Sequence, residues 1–165
     1  MPIDAAAYRE IMASLPSGVA VVTTCDAAGE PRGLTATAVA SVSAEPPLLL
    51  VCVDLESRTL PALRQSSRFV VNFMRQGREE LCRLFASKAE DKFERVAWRP
   101  TADGLPLLHE DALAWAECVT EQEVPAGDHV VLMGLVVGGE GSEDGDVPLM
   151  YYRRTWGVWT PSPSS

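Results

Sequence analysis

The chain has 165 residues, a net charge of −9, a pI near 4.7, 47% hydrophobic residues and 22% charged ones, which is the balance of one soluble globular domain with a full core. No segment concentrates Lys and Arg, which excludes general nucleic-acid binding and a basic membrane-surface helix, and no apolar run reaches the roughly 18 residues of a membrane span. The four cysteines form no CxxC pair and only two histidines accompany them, so no structural zinc site is expected; with no signal peptide at Met1-Pro2-Ile3-Asp4, the thiols are expected to be reduced in a cytoplasmic protein.

Residues 3–15 carry Ala7, Ile11 and Leu15 at helical spacing behind a potential Asp4 N-cap, and Pro16-Ser17-Gly18 stops that helix. A β-branched strand is expected at 19–24. Turn chemistry follows at 26–31, then a second strand over 32–43. Pro46-Pro47 breaks it, and residues 48–53 read as a fully apolar third strand. Ser57 is read as the N-cap of a short helix with Pro61 near its first turn. A fourth strand is expected at 69–73, a helix at 78–86 and an irregular stretch at 88–100. Long strands follow at 113–124 and 130–137, then an acidic Gly-rich loop at 138–147 and short closing strands at 149–152 and 156–159; residues 161–165 are expected to be a disordered tail. The short links predict six or seven mainly antiparallel strands with helices between them, an α+β domain over 1–160, arranged as a closed or partly closed barrel. Neither GxGxxG nor GxxxxGK[ST] is present.

The stretch 33–43 is thin in bulk where a core strand would carry Val, Ile and Phe. At period two, Thr35, Thr37, Ser41 and Ser43 fall on one face and Ala36, Ala38 and Ala40 on the other. This is either a solvated hydroxyl face or the wall of a ligand site. Ser57-Arg58-Thr59 offers two hydroxyls and a guanidinium, which suit a phosphate, or equally an N-cap with an exposed Arg. Phe85-Ala86-Ser87, Lys88 and Asp91-Lys92-Phe93 mark a helix end and a charged loop. His129 follows a Gly127-Asp128 turn at the start of a long strand, either structural or placed at a barrel mouth, whereas His109 is expected to be inert.

The order of these motifs is itself informative. Ser17-Gly18-Val19 leading to Thr23-Thr24, Gly33-Leu34-Thr35-Ala36, Ser41-Val42-Ser43 with Pro46-Pro47-Leu48, Ser57-Arg58-Thr59, Val71-Asn72, Phe85-Ala86, Asp91-Lys92-Phe93, Glu117-Cys118, Gly127-Asp128-His129 and Pro148-Leu149-Met150-Tyr151-Tyr152 together resemble the short-chain flavin reductases, the reductase components of two-component flavin-dependent monooxygenases. The resemblance implies an FMN-binding split β-barrel, antiparallel and Greek-key-like, working as a homodimer with FMN or FAD near the subunit interface and NADH or NADPH as electron donor. It assigns Gly33, Thr35, Ala36, Thr37, Ala38, Ser41, Val42 and Ser43 to the isoalloxazine and ribityl chain, and Ser57, Arg58 and Thr59 to the phosphate end. Phe85, Ala86 and Lys92 fall to a further part of the flavin site. His129, the expected catalytic residue, and Tyr152 belong to the nicotinamide side. Such a protein needs no side-chain nucleophile, because the cofactor carries the redox chemistry and the protein supplies position and electrostatics. The implied role is to pass reduced flavin to a partner monooxygenase, with no nucleic-acid or membrane partner. Rival readings from other classes are a flavin carrier or redox sensor without turnover, and a flavin-dependent oxygenase acting directly on an organic substrate.

Overall fold

The computed structural model describes residues 1–162, and three helices and twelve strands follow one another along them. In chain order these are α1 (Ala5–Ala13), β1 (Ser17–Gly18), β2 (Ala20–Cys25), β3 (Pro31–Ala36), β4 (Val39–Ala44), β5 (Pro47–Asp54), α2 (Leu60–Ser66), β6 (Arg68–Met74), α3 (Glu79–Ala86), β7 (Arg99–Pro100), β8 (Pro106–Leu107), β9 (Ala112–Ala126), β10 (His129–Glu140), β11 (Leu149–Tyr152) and β12 (Thr155–Val158). The local signals act as their chemistry requires. The Asp4 carboxylate accepts the Ala7 N–H at 2.8 Å to cap α1. Asp26 accepts the N–H groups of Ala28 and Glu30, both at 3.0 Å, and Gly29 takes the positive φ of 80° that closes the β2–β3 turn. Residues 163–165, most of the expected disordered tail, lie outside the described residues.

Seven strands form one antiparallel sheet in the order β3-β2-β6-β9-β10-β5-β4; β1, β11 and β12 form a second sheet, and β7 pairs with β8. The fold is mainly β with three helices. Among the described residues the ladder of the large sheet ends at β3 on one side and β4 on the other, without the closure that a complete barrel requires.

The expected single strand over 32–43 is two strands. β3 pairs with β2 as far as Ala36↔Ala20, and β4 pairs with β5 from Val39↔Val51, so consecutive strands lie on opposite edges of the sheet. Only Thr37 and Ala38 separate them, which obliges the sheet to curl until its edges meet there. β2 can offer no further partner, because Val19, just before it, is committed elsewhere: its N–H donates to Leu149 and its carbonyl accepts from Met74. The two-faced pattern read from the sequence therefore fails. Thr35 bonds toward α3, Ala36 is buried, and Thr37 and Ala38 are both exposed. A bulge at Val42, between the pairs Ser41↔Leu49 and Ser43↔Leu48, puts the two serines out of alternation as well. The other differences are smaller. α2 starts at Leu60 with Thr59 at its N-cap, and the Ser57 hydroxyl instead accepts the Thr59 N–H at 3.3 Å in the preceding turn. The irregular stretch holds a 3₁₀ turn at Lys92–Glu94 and the short β7, and β10 runs on to Glu140 into the expected loop.

β2 is buried along nearly its whole length because both its faces are covered. Ala20 and Val22 join Val51, Phe69, Val71, Leu132 and the α2 residues Leu60 and Leu63 in the main core. Val19 and Val21 face the other way, onto Met74, Leu108, Leu149 and the α3 residues Cys82 and Phe85. Each fully buried Leu, Val or Phe here contributes on the order of 1.5–3 kcal/mol. The buried Asn72 amide is matched at both ends. Asn72 donates to the carbonyl of Val21 at 2.9 Å and to the Thr23 hydroxyl at 3.2 Å, and accepts the Leu108 N–H at 2.9 Å.

A candidate cofactor site between the β3 edge and the hairpin tip

A cavity of about 840 Å³ opens where β3, the Thr37-Ala38 link, the end of β5, the turn before α2, the segment after α3 and the start of β10 converge. That volume lies in the range of small-molecule and cofactor sites. Twelve of the residues singled out from the sequence line it: Gly33, Thr35, Ala36, Thr37 and Ala38 on one wall, Ser57, Arg58 and Thr59 on a second, Phe85, Ala86 and Lys92 on a third, and His129 at the hairpin end. Ser41, Val42 and Ser43 lie outside it on the edge strand β4, and Tyr152 lies outside it in the three-stranded sheet.

The β3 wall is held by polar bonds to its backbone. The Gly33 carbonyl accepts from the Thr59 hydroxyl at 3.0 Å and from the Lys92 ammonium at 3.3 Å. The Thr35 hydroxyl donates to the Cys82 carbonyl of α3 at 2.6 Å. Gly33 itself is a packing requirement, since a Cβ there would sit 2.8 Å from the Phe85 ring and 3.1 Å from the Val22 carbonyl. Phe85 therefore lies flush on β3 only because position 33 has no side chain. Thr35, Thr59 and Gly33 build the wall, which leaves Thr37, Ala38 and the backbone as its free surface.

The Lys92 ammonium also donates to the Phe85 carbonyl at 2.8 Å, near the C-terminal end of α3, and lies 5.8 Å from the centre of the Phe85 ring. Among the described residues it has no carboxylate partner. Burial, and after it the nearby Arg58 guanidinium, pushes its pKa below the ordinary lysine value. Arg58 donates to the Lys88 carbonyl at 3.1 Å and stands 3.6 Å from Glu90, a well-exposed carboxylate that competes weakly with water. Two cations thus share one end of the cavity with little negative charge between them, an arrangement that an anionic ligand group stabilises.

At the other end, His129 pairs with Asp54 in the β10–β5 register, and its Nδ1 lies 2.7 Å from the Asp128 carboxylate. The hydrogen bond from His129, and then its charge, hold the Asp128 pKa below the usual carboxylate value. The Leu55 N–H donates to the Asp128 carbonyl at 3.0 Å, tying the turn after β5 to the hairpin tip. The sequence reading missed Cys52, Val53, Asp54, Lys88 and Phe93 as lining residues. Three of these lie on β5, where residues 48–53 are uniformly apolar in sequence and only the structure distinguishes the buried Leu49, Val51 and Val53 from the less buried Cys52 side.

Residues 12–160 match the Flavin reductase like domain, and the chain belongs to that family. It is 44% identical over 158 residues to the flavin reductase (NADH) of Kitasatospora aureofaciens, covering 95% of this chain and 83% of that one. It is 40% identical over 160 residues to the flavin reductase (NADPH) of Lentzea aerocolonigenes, covering 96% and 92%. Among solved structures, the NADH:FAD oxidoreductase SgcE6 of Streptomyces globisporus C-1027, determined with NAD and FAD fragments, superposes with a TM-score of 0.90 at 30% identity over 98% of this chain and 96% of that one. The styrene monooxygenase flavin reductase of Pseudomonas putida S12 superposes with a TM-score of 0.84 at 27% identity over 95% and 99%.

Proposed function

We propose that this chain is an NAD(P)H:flavin oxidoreductase that binds FMN or FAD in the 840 Å³ cavity and delivers the reduced flavin to a monooxygenase component. The observation that carries the reading is the cavity's donor set: a thin wall of backbone and small side chains at 33–38, facing two cations, Lys92 and Arg58, that lack a close buried counter-charge. That set fits a flavin nucleotide, a flat heteroaromatic ring on a chain that ends in phosphate. When bound, a flavin would supply hydride-accepting redox chemistry toward NAD(P)H, with one proton drawn from solvent. The chain's residues supply position. Thr37, Ala38 and the free backbone beside them give the ring a bed, Lys92 and Arg58 hold the phosphate end, and His129 orients the nicotinamide from the hairpin tip.

The kinship with a styrene monooxygenase reductase supports the monooxygenase partner. The edges of the sheet that meet at Thr37-Ala38 support the finer description of the fold as a split barrel. A homodimer is supported by α1, which buries none of its residues and leaves Tyr8, Ile11 and Met12 exposed. In that dimer Ser41, Val42, Ser43 and Tyr152 meet flavin or nicotinamide bound across the interface. Four unpaired cysteines support a reducing, cytoplasmic setting. Among the described residues no helix is long and apolar enough to cross a membrane.

The test is anaerobic mixing of the protein with NADH or NADPH, with and without added FMN or FAD, followed by nicotinamide absorbance. Oxidation that depends on flavin supports the proposal, and no oxidation with either flavin refutes it. Replacing His129 by Ala should chiefly raise the nicotinamide KM; an unchanged KM removes His129 from that role.

A further inference from the structure

We infer that residues 87–92 form a strap over the cavity, and that a phosphate shared between Arg58 and Lys92 fastens it. The inference rests on the placement of a flavin phosphate at those two cations given above. It starts from how the segment is held. Ser87, Lys88, Ala89, Glu90 and Lys92 line the cavity. The segment arches between two firm points. Behind it is the end of α3, where the Ser87 N–H donates to the carbonyls of Arg83 and Leu84, both at 3.1 Å. Ahead of it Phe93 packs edge-on against Phe85, with ring centres 5.1 Å apart, and Val96 joins Phe93 on the cluster of Val21, Phe85 and Leu108. Between these points no residue is buried and no strand pairing occurs. Among the described residues, every hydrogen bond or ion pair that ties residues 88–92 across to another element belongs to Arg58 or Lys92. Arg58 reaches the Lys88 carbonyl and the Glu90 carboxylate, and Lys92 reaches the carbonyls of Gly33 and Phe85. A segment so sparsely held opens at low cost.

The two cations stand on opposite sides of the seam, Arg58 in the turn before α2 and Lys92 on the strap. Their present partners are neutral carbonyls and one exposed carboxylate, and neither cation is saturated. The ammonium has a third N–H to give, and the guanidinium, with five donors, gives one to Lys88. Like charge across the seam works against the empty strap, and it contributes, after burial, to the lowered pKa of Lys92. A phosphate reverses the sign. It accepts from both cations at once, and such charge-assisted bonds are shorter and stronger than bonds to carbonyls. The strap therefore closes on a flavin that carries phosphate and not on the ring alone, and the phosphate governs how fast the flavin leaves.

The test is hydrogen–deuterium exchange of peptides covering residues 87–92, with the intact protein unliganded, saturated with riboflavin, and saturated with FMN or FAD, whichever binds the more tightly; flavin fluorescence confirms saturation. The nucleotide is expected to slow exchange there by about tenfold or more, and riboflavin by less than about twofold. In Arg58→Gln saturated with the nucleotide the slowing should fall to about the riboflavin level, and Arg58→Lys should recover part of it. If riboflavin cannot be saturated, the Arg58→Gln comparison decides alone. Equal slowing by both flavins overturns the inference, because the ring then covers the strap without help from the phosphate. So does a bound nucleotide that leaves the exchange unchanged, and so does a full effect in Arg58→Gln. These three results leave the reductase reading standing, whereas failure to bind either FMN or FAD overturns both.

Discussion

Replacement of Ala38 by Leu tests the ring bed most directly. Ala38 is exposed in the two-residue link between β3 and β4, its carbonyl is fixed by the Cys52 N–H at 3.0 Å, and it lines the cavity. A leucine there projects from a wall that cannot retreat, because Gly33, Thr35 and Ala38 are each pinned through backbone or side-chain bonds. Overpacking of this kind costs about 1–3 kcal/mol, which lowers flavin affinity by about 5- to 150-fold. The same side chain is free of the core in the unliganded protein, so folding stability should change by no more than about 0.5 kcal/mol. Ala36 is the control. It is 6% exposed and packs in the main core, so Ala36→Leu should lower the melting temperature before it says anything about ligand. The assay is a fluorescence titration of FMN paired with thermal melts of both variants. Undiminished FMN affinity in Ala38→Leu, with the protein folded, would show that the ring lies elsewhere.

Lys92→Met should weaken FMN binding by about tenfold or more but riboflavin binding much less, because riboflavin lacks the phosphate that the ammonium serves; equal losses by calorimetry would remove that role. Glu117 is a buried carboxyl on β9 beside Arg68 and Asp103, and burial, followed by the hydrogen bond and charge of Asp103, outweighs Arg68 and Thr101 and raises its pKa. The folded state therefore holds the Glu117 proton more tightly than the unfolded state does, so this group favours folding as pH falls toward the ordinary glutamate value and the benefit is lost as pH rises through the raised one. Glu117→Gln should accordingly gain stability relative to the native protein at pH 8 and lose that advantage near pH 5; melts showing a pH-independent difference would contradict the assignment. Asn72→Leu leaves the buried Leu108 N–H without its acceptor, at a cost of about 1–3 kcal/mol or about 2–10 °C in Tm, and an unaltered Tm would mean that the loop re-forms the bond elsewhere.

The elements themselves were legible because their signals are local. Asp4 caps α1 and Asp26 with Gly29 closes the first hairpin through bonds that span four residues or fewer. The site was partly legible for a different reason: the motifs at 33–38, 57–59, 85–92 and 129, each ambiguous alone, resembled in their order a flavin reductase, and the fold brings those segments together around one cavity. The break between β3 and β4 was not legible. A run of Thr, Ala, Val and Ser has the same propensity whether it is one strand or two, and the break is set by where β2 and β5 run out of partners, which is a property of distant residues. The same holds for Thr35 and Thr59. Their hydroxyls looked like ligand donors in the sequence, yet in the structure they are spent on the carbonyls of Cys82 and Gly33, and only the topology could reveal that.

Those bonds also explain how a chain of net charge −9 can hold an anionic ligand. A general positive field is absent, so attraction must come from a few cations kept from the protein's own acids. Lys92 is kept from them by backbone: two of its three N–H donors go to the carbonyls of Phe85 and Gly33, which hold the ammonium in place without neutralising its charge. A carboxylate in the place of either carbonyl would bind the ammonium better and leave nothing for a phosphate. The Gly33 carbonyl can play this part only because Gly33 admits Phe85 against β3, which brings α3 and the Lys92 turn within reach of that strand. The glycine that opens the thin stretch of sequence thus contributes more through the cation it helps to place than through the space it leaves for a ring.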